Sequence, residues 1–288
     1  MVTDTSIDDK FGSIPLPGNH LSPSTLTFKL THEVPRQDYE ILTAMLNGPR
    51  GSHGFGLPWG WLIEATPDII GRRFSSGQPF IVAYDTKRAD DYIPGVDITH
   101  HEQIPVVFLE TALIKTEGNL HNIPLTYWNL TNRGLWQPAP KDPDTALCVD
   151  LTNIPSRRGN GSHEVGMTIG FAKKLFRGET DYNMPDIPHI ATYSPDIPGV
   201  IRMHTDFGAK DTGYVINHAR LPLGALKTEE GKKVGRVSFS PDALQEFTSE
   251  MQKLNPLFKP GMYHTHITVY KGFGLNGYNV LNNGPPLR

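Results

Sequence analysis

Residues 149–209 read VDLTNIPSRRGNGSHEVGMTIGFAKKLFRGETDYNMPDIPHIATYSPDIPGVIRMHTDFGA. An apolar, β-branched run enters a glycine-containing turn at 156–163, and the amphipathic stretch EVGMTIGFAKKLF follows it. IPHIATYSP (187–195) reads as a second strand and GVIRMHTDFGA (199–209) as a second helix. Working outward, TALCVDLTNI (145–154), PFIVAYD (79–85) and IPVVFLETALIK (104–115) are strand-like, and LTFKLTHEV (26–34) alternates well enough for another. PRQDYEILTAMLN, from Pro35, carries helical spacing with Gly48-Pro49 as the stop. TGYVINHARL and MYHTHITVYKGF read as further strands, with a helix near PDALQEFTSEMQKL (241–254). Strands alternating with helices predict an α/β protein whose mixed central sheet is flanked by helices.

Residues 1–23 are polar and proline-containing and are expected to form an extended arm; 24–288 shows no linker and is read as a single domain. The aromatic, glycine-rich loop 51–61 and the Trp- and Pro-containing stretch 119–144, read as an insertion, interrupt the regular elements. A net charge of −3 with no basic run removes the electrostatic footprint of a nucleic-acid binder. No apolar run approaches the roughly 18 residues of a membrane span, and the first residues lack the pattern of a secretory signal. One cysteine, Cys148, excludes an internal disulfide framework. A soluble cytoplasmic protein is the expectation.

In the turn, Gly159 and Gly161 permit backbone angles that aim successive N–H groups at one anion, and the following helix start adds partial positive charge. A phosphate cradle would then comprise Arg157, Arg158, Gly159, Asn160, Gly161, Ser162 and His163, the arginines adding charge-assisted contacts. The plainer reading is a strand-to-helix turn with solvated arginines. The spacing is not that of a dinucleotide-binding fingerprint. Ser194 ends a strand at Pro195, and His204 follows ten residues on, so both can face one cleft.

The turn and helix are similar to the acyl-CoA-binding motif of the GNAT (acyl-CoA N-acyltransferase) superfamily, of the form Arg/Gln-x-x-Gly-x-Gly/Ala. Arg158-x-x-Gly161 fits, while His163 stands where a small residue is usual. Ser156-Arg-Arg-Gly-Asn-Gly-Ser-His-Glu-Val-Gly166 also resembles the CoA loop of malonyl-CoA decarboxylase, which shares that fold. Thr192-Tyr-Ser-Pro-Asp-Ile-Pro-Gly199 resembles its Ser-Pro-Ile-Pro-Gly element with one residue inserted. Met203-His-Thr-Asp-Phe-Gly-Ala209 resembles its aromatic-His-x-x-Asn-Gly-Ala element, and His101–Leu113 resembles its strand after a histidine-containing turn. The similarity covers roughly 98–220. The family's N-terminal helical domain, and its long helical segment between the Ser and His elements, have no counterpart in this sequence.

The resemblance implies a GNAT-like fold and a thioester of CoA, or of phosphopantetheine on an acyl carrier protein, as substrate, with no tightly bound cofactor and no metal. It also implies that Ser194 and His204 are the catalytic pair. Loss of CO₂ from a malonyl-type thioester leaves an enolate. A serine hydroxyl can bind the departing carboxylate or the acyl oxygen, and a histidine can deliver the proton to carbon. Two other functions stay open: acyl transfer from acyl-CoA to an amine or alcohol with His204 as acid, and non-catalytic binding of an acyl carrier. His204-Thr205-Asp206 also fits the His-x-Asp of an iron facial triad, although the distal arginine such a site needs is replaced by Asn276. His264 and His266 share a strand face and read as solvated or interface residues. Cys148 reads as inert core, and Asp206 as a surface partner of Arg202.

Overall fold

The computed structural model describes residues 26–47, 66–124, 136–157, 163–195, 198–217 and 264–273. Among the described residues, seven strands form the central sheet: β1 (Thr27–Leu30), β2 (Ile81–Thr86), β3 (Gln103–Ile114), β4 (Thr145–Asn153), β5 (His189–Pro195), β6 (Lys210–Asn217) and β7 (His264–Lys271). Their order is β1-β2-β3-β4-β5-β7-β6. Among the described residues, four α-helices are built on the sheet: α1 (Tyr39–Asn47) and α2 (Pro67–Phe74) between β1 and β2, α3 (His163–Leu175) between β4 and β5, and α4 (Pro198–Asp206) between β5 and β6. The expected α/β architecture, a mixed sheet flanked by helices, is what the chain adopts.

Some local expectations change. The run 26–34 is a strand only to Leu30; Thr31–Glu33 then form a 3-10 turn, and Glu33 Oε2 accepts the Leu30 N–H at 2.9 Å. Helix α2 was not anticipated, yet its start is written locally: Thr66 Oγ1 accepts the Ile69 N–H at 3.2 Å and Pro67 occupies the first turn. The arm 1–23, the loop 51–61, residues 125–135 of the insertion and the helix at 241–254 lie outside the described residues.

β3 organises the core because both of its faces are covered. Val106 and Phe108 belong to the cluster that holds Ile41, Leu42 and Met45 of α1 and Ile70 and Phe74 of α2. Leu109 and Leu113, with odd numbers and so on the other face, join Ala172 and Leu175 of α3. Each such side chain contributes about 1.5–3 kcal/mol by leaving water. Pro105, an unusual residue for a central strand, sits beside a register shift where Val107 faces Ala83 and Pro105 faces Tyr84.

All neighbouring strands are antiparallel except β4 and β5, which are parallel, with α3 between them in sequence. That parallel pair is short. Thr145–Cys148 pair with His189–Thr192, and there the ladder stops although both strands continue. Residues 150–153 of β4 stay with β3, and Thr192–Pro195 of β5 stay with β7. The register of β4 on β3 skips Val149, a bulge at the point of parting. The sheet therefore splits at the carboxyl ends of β4 and β5 into a notch. Helix α3 follows β4 and helix α4 follows β5 in sequence, so both begin beyond the carboxyl ends of these strands.

Gly166 ties the two helices together. A Cβ there would lie 2.6 Å from the Phe207 ring, so the glycine is what lets the residue just past α4 rest on α3. Lys173 Nζ adds a hydrogen bond to the Phe207 carbonyl at 3.2 Å. These contacts set the position of α4 and so of His204.

Candidate functional site

The notch begins at the turn after β4, and here one expectation is corrected. Arg157 does not offer its guanidinium to an anion. Its residue is only 4% exposed, and its guanidinium lies among carboxylates. Nη1 binds Asp85, Nε and Nη2 grip Asp91 at 3.0 and 2.6 Å, and Nη2 also donates to the Thr86 carbonyl at 3.0 Å. Glu164 in the first turn of α3 lies 3.5 Å from Nη1 and accepts from Arg88 at 2.9 Å. Hydrogen bonds from Arg157 hold the Asp91 carboxyl below its usual range against the burial that would raise it. The physical reason for the correction is desolvation: a buried guanidinium needs anionic partners, and these carboxylates supply them. The network ties the end of the 3-10 turn Pro155–Arg157 and the first turn of α3 to β2 and the segment after it. His163, exposed, is the first residue of α3; Arg158, Gly159, Asn160, Gly161 and Ser162 lie outside the described residues.

Ser194 and His204 come to one face of the sheet but do not bond each other. Ser194, fully buried on β5, shares a 2.8 Å hydrogen bond with Thr268 Oγ1 on β7. His204, 5% exposed on α4, holds the Tyr270 hydroxyl 2.7 Å from its Nδ1. Thr268 and Tyr270 alternate along β7 with His266, the residue directly opposite Ser194 in the ladder. His266 Nδ1 is in turn 2.9 Å from Asp211 Oδ2 on β6. One row along β7 thus links Asp211–His266, Ser194–Thr268 and Tyr270–His204. Thr268, Tyr270 and Asp211 were not singled out from the sequence, and His266 was read as solvated or interfacial. The alternation in HTHITVYK was the available signal; it could not say which strands would flank it.

Burial also bears on the charge of His204. Burial lowers its pKa to about 4, so near neutrality the ring is uncharged rather than a ready imidazolium. Burial pushes the Tyr270 phenol up, keeping it protonated and able to donate to Nδ1. The ring then carries its proton on Nε2. Between pH 6.5 and about 4 the unfolded chain binds a proton at this residue that the folded chain refuses, so stability is lost as pH falls through that window. Urea unfolding of the wild type at pH 7 and pH 5 should show about 2 kcal/mol of loss that His204→Gln lacks. Equal losses in both proteins would contradict the buried neutral ring.

On the other side of the sheet, Asp150 faces Glu110 across the β3–β4 ladder, and Arg73 of α2 pairs with Glu110 at 2.5 Å. Burial, with the nearby Glu110 carboxylate, pushes the Asp150 carboxyl up to about 8. Cys148, at the end of the β4–β5 pairing, is buried and its thiol is pushed up to about 12, in keeping with inert core. The iron-triad pattern does not converge: His204 points inward, whereas Asp206 is 66% exposed and pairs with Arg202 at 3.6 Å. Among the described residues no helix is long and apolar enough to cross a membrane.

No protein-family model matches the chain, and no curated protein matches it. Among solved structures it is similar to GphF, a GNAT-like decarboxylase in complex with isobutyryl-CoA, at a TM-score of 0.45 and 12% identity, over 85% of this chain and 98% of that one. It is similar to the diaminobutyrate acetyltransferase EctA of Paenibacillus lautus, in complex with L-2,4-diaminobutyric acid and coenzyme A, at a TM-score of 0.36 and 12% identity, over 87% of this chain and 97% of that one. The malonyl-CoA decarboxylase of Rhodopseudomonas palustris matches at a TM-score of 0.35 and 13% identity, over 63% of this chain and 34% of that one.

Proposed function

We propose that the protein is an enzyme acting on an acyl thioester of CoA or of an acyl carrier protein, and that it decarboxylates a malonyl-type group. The observation that carries this reading is the notch between β4 and β5. In open α/β sheets, ligands bind outside the carboxyl ends of strands where the connections part, and two helix N-termini begin there. A pantetheine arm laid in the notch, with its phosphates at residues 158–163, would bring its thioester toward Ser194 and His204. Ser194 binds the carboxylate or acyl oxygen. His204, neutral and carrying its proton on Nε2, donates a hydrogen bond to the oxygen on which enolate charge develops. No metal and no tightly bound cofactor takes part in this scheme.

Asp150 favours a second reading, acyl transfer to an amine or alcohol. Asp150 lies on β4 just past the end of its pairing with β5, and burial together with the Glu110 carboxylate raises its pKa, which suits it to accept the acceptor's proton. One experiment separates the two: incubate the protein with malonyl-CoA, and separately with acetyl-CoA and a panel of amines, and follow masses. CO₂ release with formation of acetyl-CoA supports decarboxylation. Free CoA that appears only with an acceptor, and is lost in Asp150→Asn, supports transfer. CoA retained without turnover in either arm points to a carrier-binding protein.

A further inference from the structure

Loss of CO₂ leaves an enolate whose α-carbon must take a proton, and His204 is a buried, neutral ring. The β4 wall of the notch carries a carboxyl. Cys148 and Thr192 are the last rung between β4 and β5, and continuing that register would set Asp150 level with Ser194. The bulge at Val149 turns Asp150 instead to the opposite face of the sheet. There it stands across the ladder from Glu110, and Thr152, next on that face, donates to the Met45 carbonyl of α1. Asp150 is partly exposed, and among the described residues no other side chain hydrogen-bonds to it. Residues directly opposite in a ladder have Cβ atoms about 4.5–5.5 Å apart, so two carboxylates here repel each other. Arg73 decides which one ionises, because its Nη1 pairs with Glu110 at 2.5 Å. The proton stays on Asp150. Burial first, then the Glu110 carboxylate, raises its pKa, against a smaller opposing pull from Arg73 and the Leu151 backbone N–H. Glu110 of β3 and Arg73 of α2 are the charged side chains that act on it among the described residues.

Resting on the decarboxylation reading, we infer that Asp150 is the acid that protonates the α-carbon, from the face of the notch opposite Ser194 and His204. The bond between the α-carbon and the carboxylate breaks, CO₂ leaves, and the electron pair stays on the thioester as an enolate. The α-carbon then takes the carboxyl proton of Asp150, and solvent, which reaches this partly exposed side chain, restores it. The net change is one proton consumed and one CO₂ released per acetyl thioester formed. The two faces divide the work: the oxygen that gathers charge meets a hydrogen-bond donor on one, and the carbon meets an acid on the other.

The test measures malonyl-CoA turnover, deuterium uptake at the methyl of acetyl-CoA in D₂O, and CoA affinity, across pH, for the wild type, Asp150→Asn and Glu110→Gln. Asp150→Asn is expected to lose about a hundredfold in both turnover and uptake with CoA affinity retained. In the wild type, turnover should fall as pH rises through about 8, where Asp150 gives up its proton. Uptake, which needs the carboxylate as base, should rise over the same range. A residue that only supports the fold does not produce such mirrored profiles. Glu110→Gln removes the like charge and should move both limbs to lower pH. A folded Asp150→Asn protein with wild-type turnover and uptake overturns the inference and leaves the decarboxylation reading intact. If Asp150→Asn does not fold, limbs that stay in place in Glu110→Gln overturn it instead. A wild type silent toward malonyl-CoA removes the reading and the inference with it.

Discussion

Arg157→Met should cost about 3–5 kcal/mol of stability, because the change removes the buried cation and leaves Asp85, Asp91 and Glu164 facing one another. Arg88 remains, but its side chain is 33% exposed and reaches only Asp85 and Glu164. Asp91 would be left with its Ser156 hydroxyl and the Arg88 backbone N–H. Arg157→Lys should recover only part of the loss, since a single ammonium cannot make the paired Nε and Nη2 contacts to Asp91 or reach Thr86 and Asp85 together. Urea denaturation midpoints check both. A fall under about 1 kcal/mol for the methionine variant would place this network among the weak surface pairs instead. The same variant releases the residue that leads into 158–162, so on the thioester reading its affinity for CoA should drop even in conditions where the protein stays folded.

The largest effect on activity is expected at His204. His204→Ala should reduce malonyl-CoA decarboxylation by about 10²–10³-fold, the range seen when one oxyanion donor is removed. Tyr270→Phe should cost about tenfold in rate and about 1 kcal/mol in stability, because the hydroxyl both fills a buried hydrogen bond and selects the Nε2–H form of the ring. The two effects should not add in the double variant, since Tyr270 acts through His204. Steady-state kinetics with malonyl-CoA decide it. A His204→Ala enzyme within threefold of wild type, with CO₂ release intact, would falsify the assigned role.

Much of this arrangement was legible along the chain. The strand–turn–helix–strand–helix order of 149–209 is local: β-branched runs, a glycine turn and helical spacing each follow from residues within a few positions of one another. Ser194 and His204 stood out for the same reason, lying on consecutive elements. Helix α2 was equally local but was missed, because its Thr66-Pro67 start follows a glycine-rich stretch that dominates the reading.

What the sequence determined by itself was the α/β order of elements and the placing of the serine and the first histidine on them, because these depend on short-range spacing. Only the tertiary structure decided their chemical states. Arg157 looked like a phosphate contact until Asp85 and Asp91, 72 and 66 positions away, were seen around it. Burial lowers the pKa of His204, and the pairing of β7 with β5 and β6 sets His266 opposite Ser194. Charge and protonation are set by what surrounds a group in space, and in this fold those surroundings come from strands more than fifty residues distant.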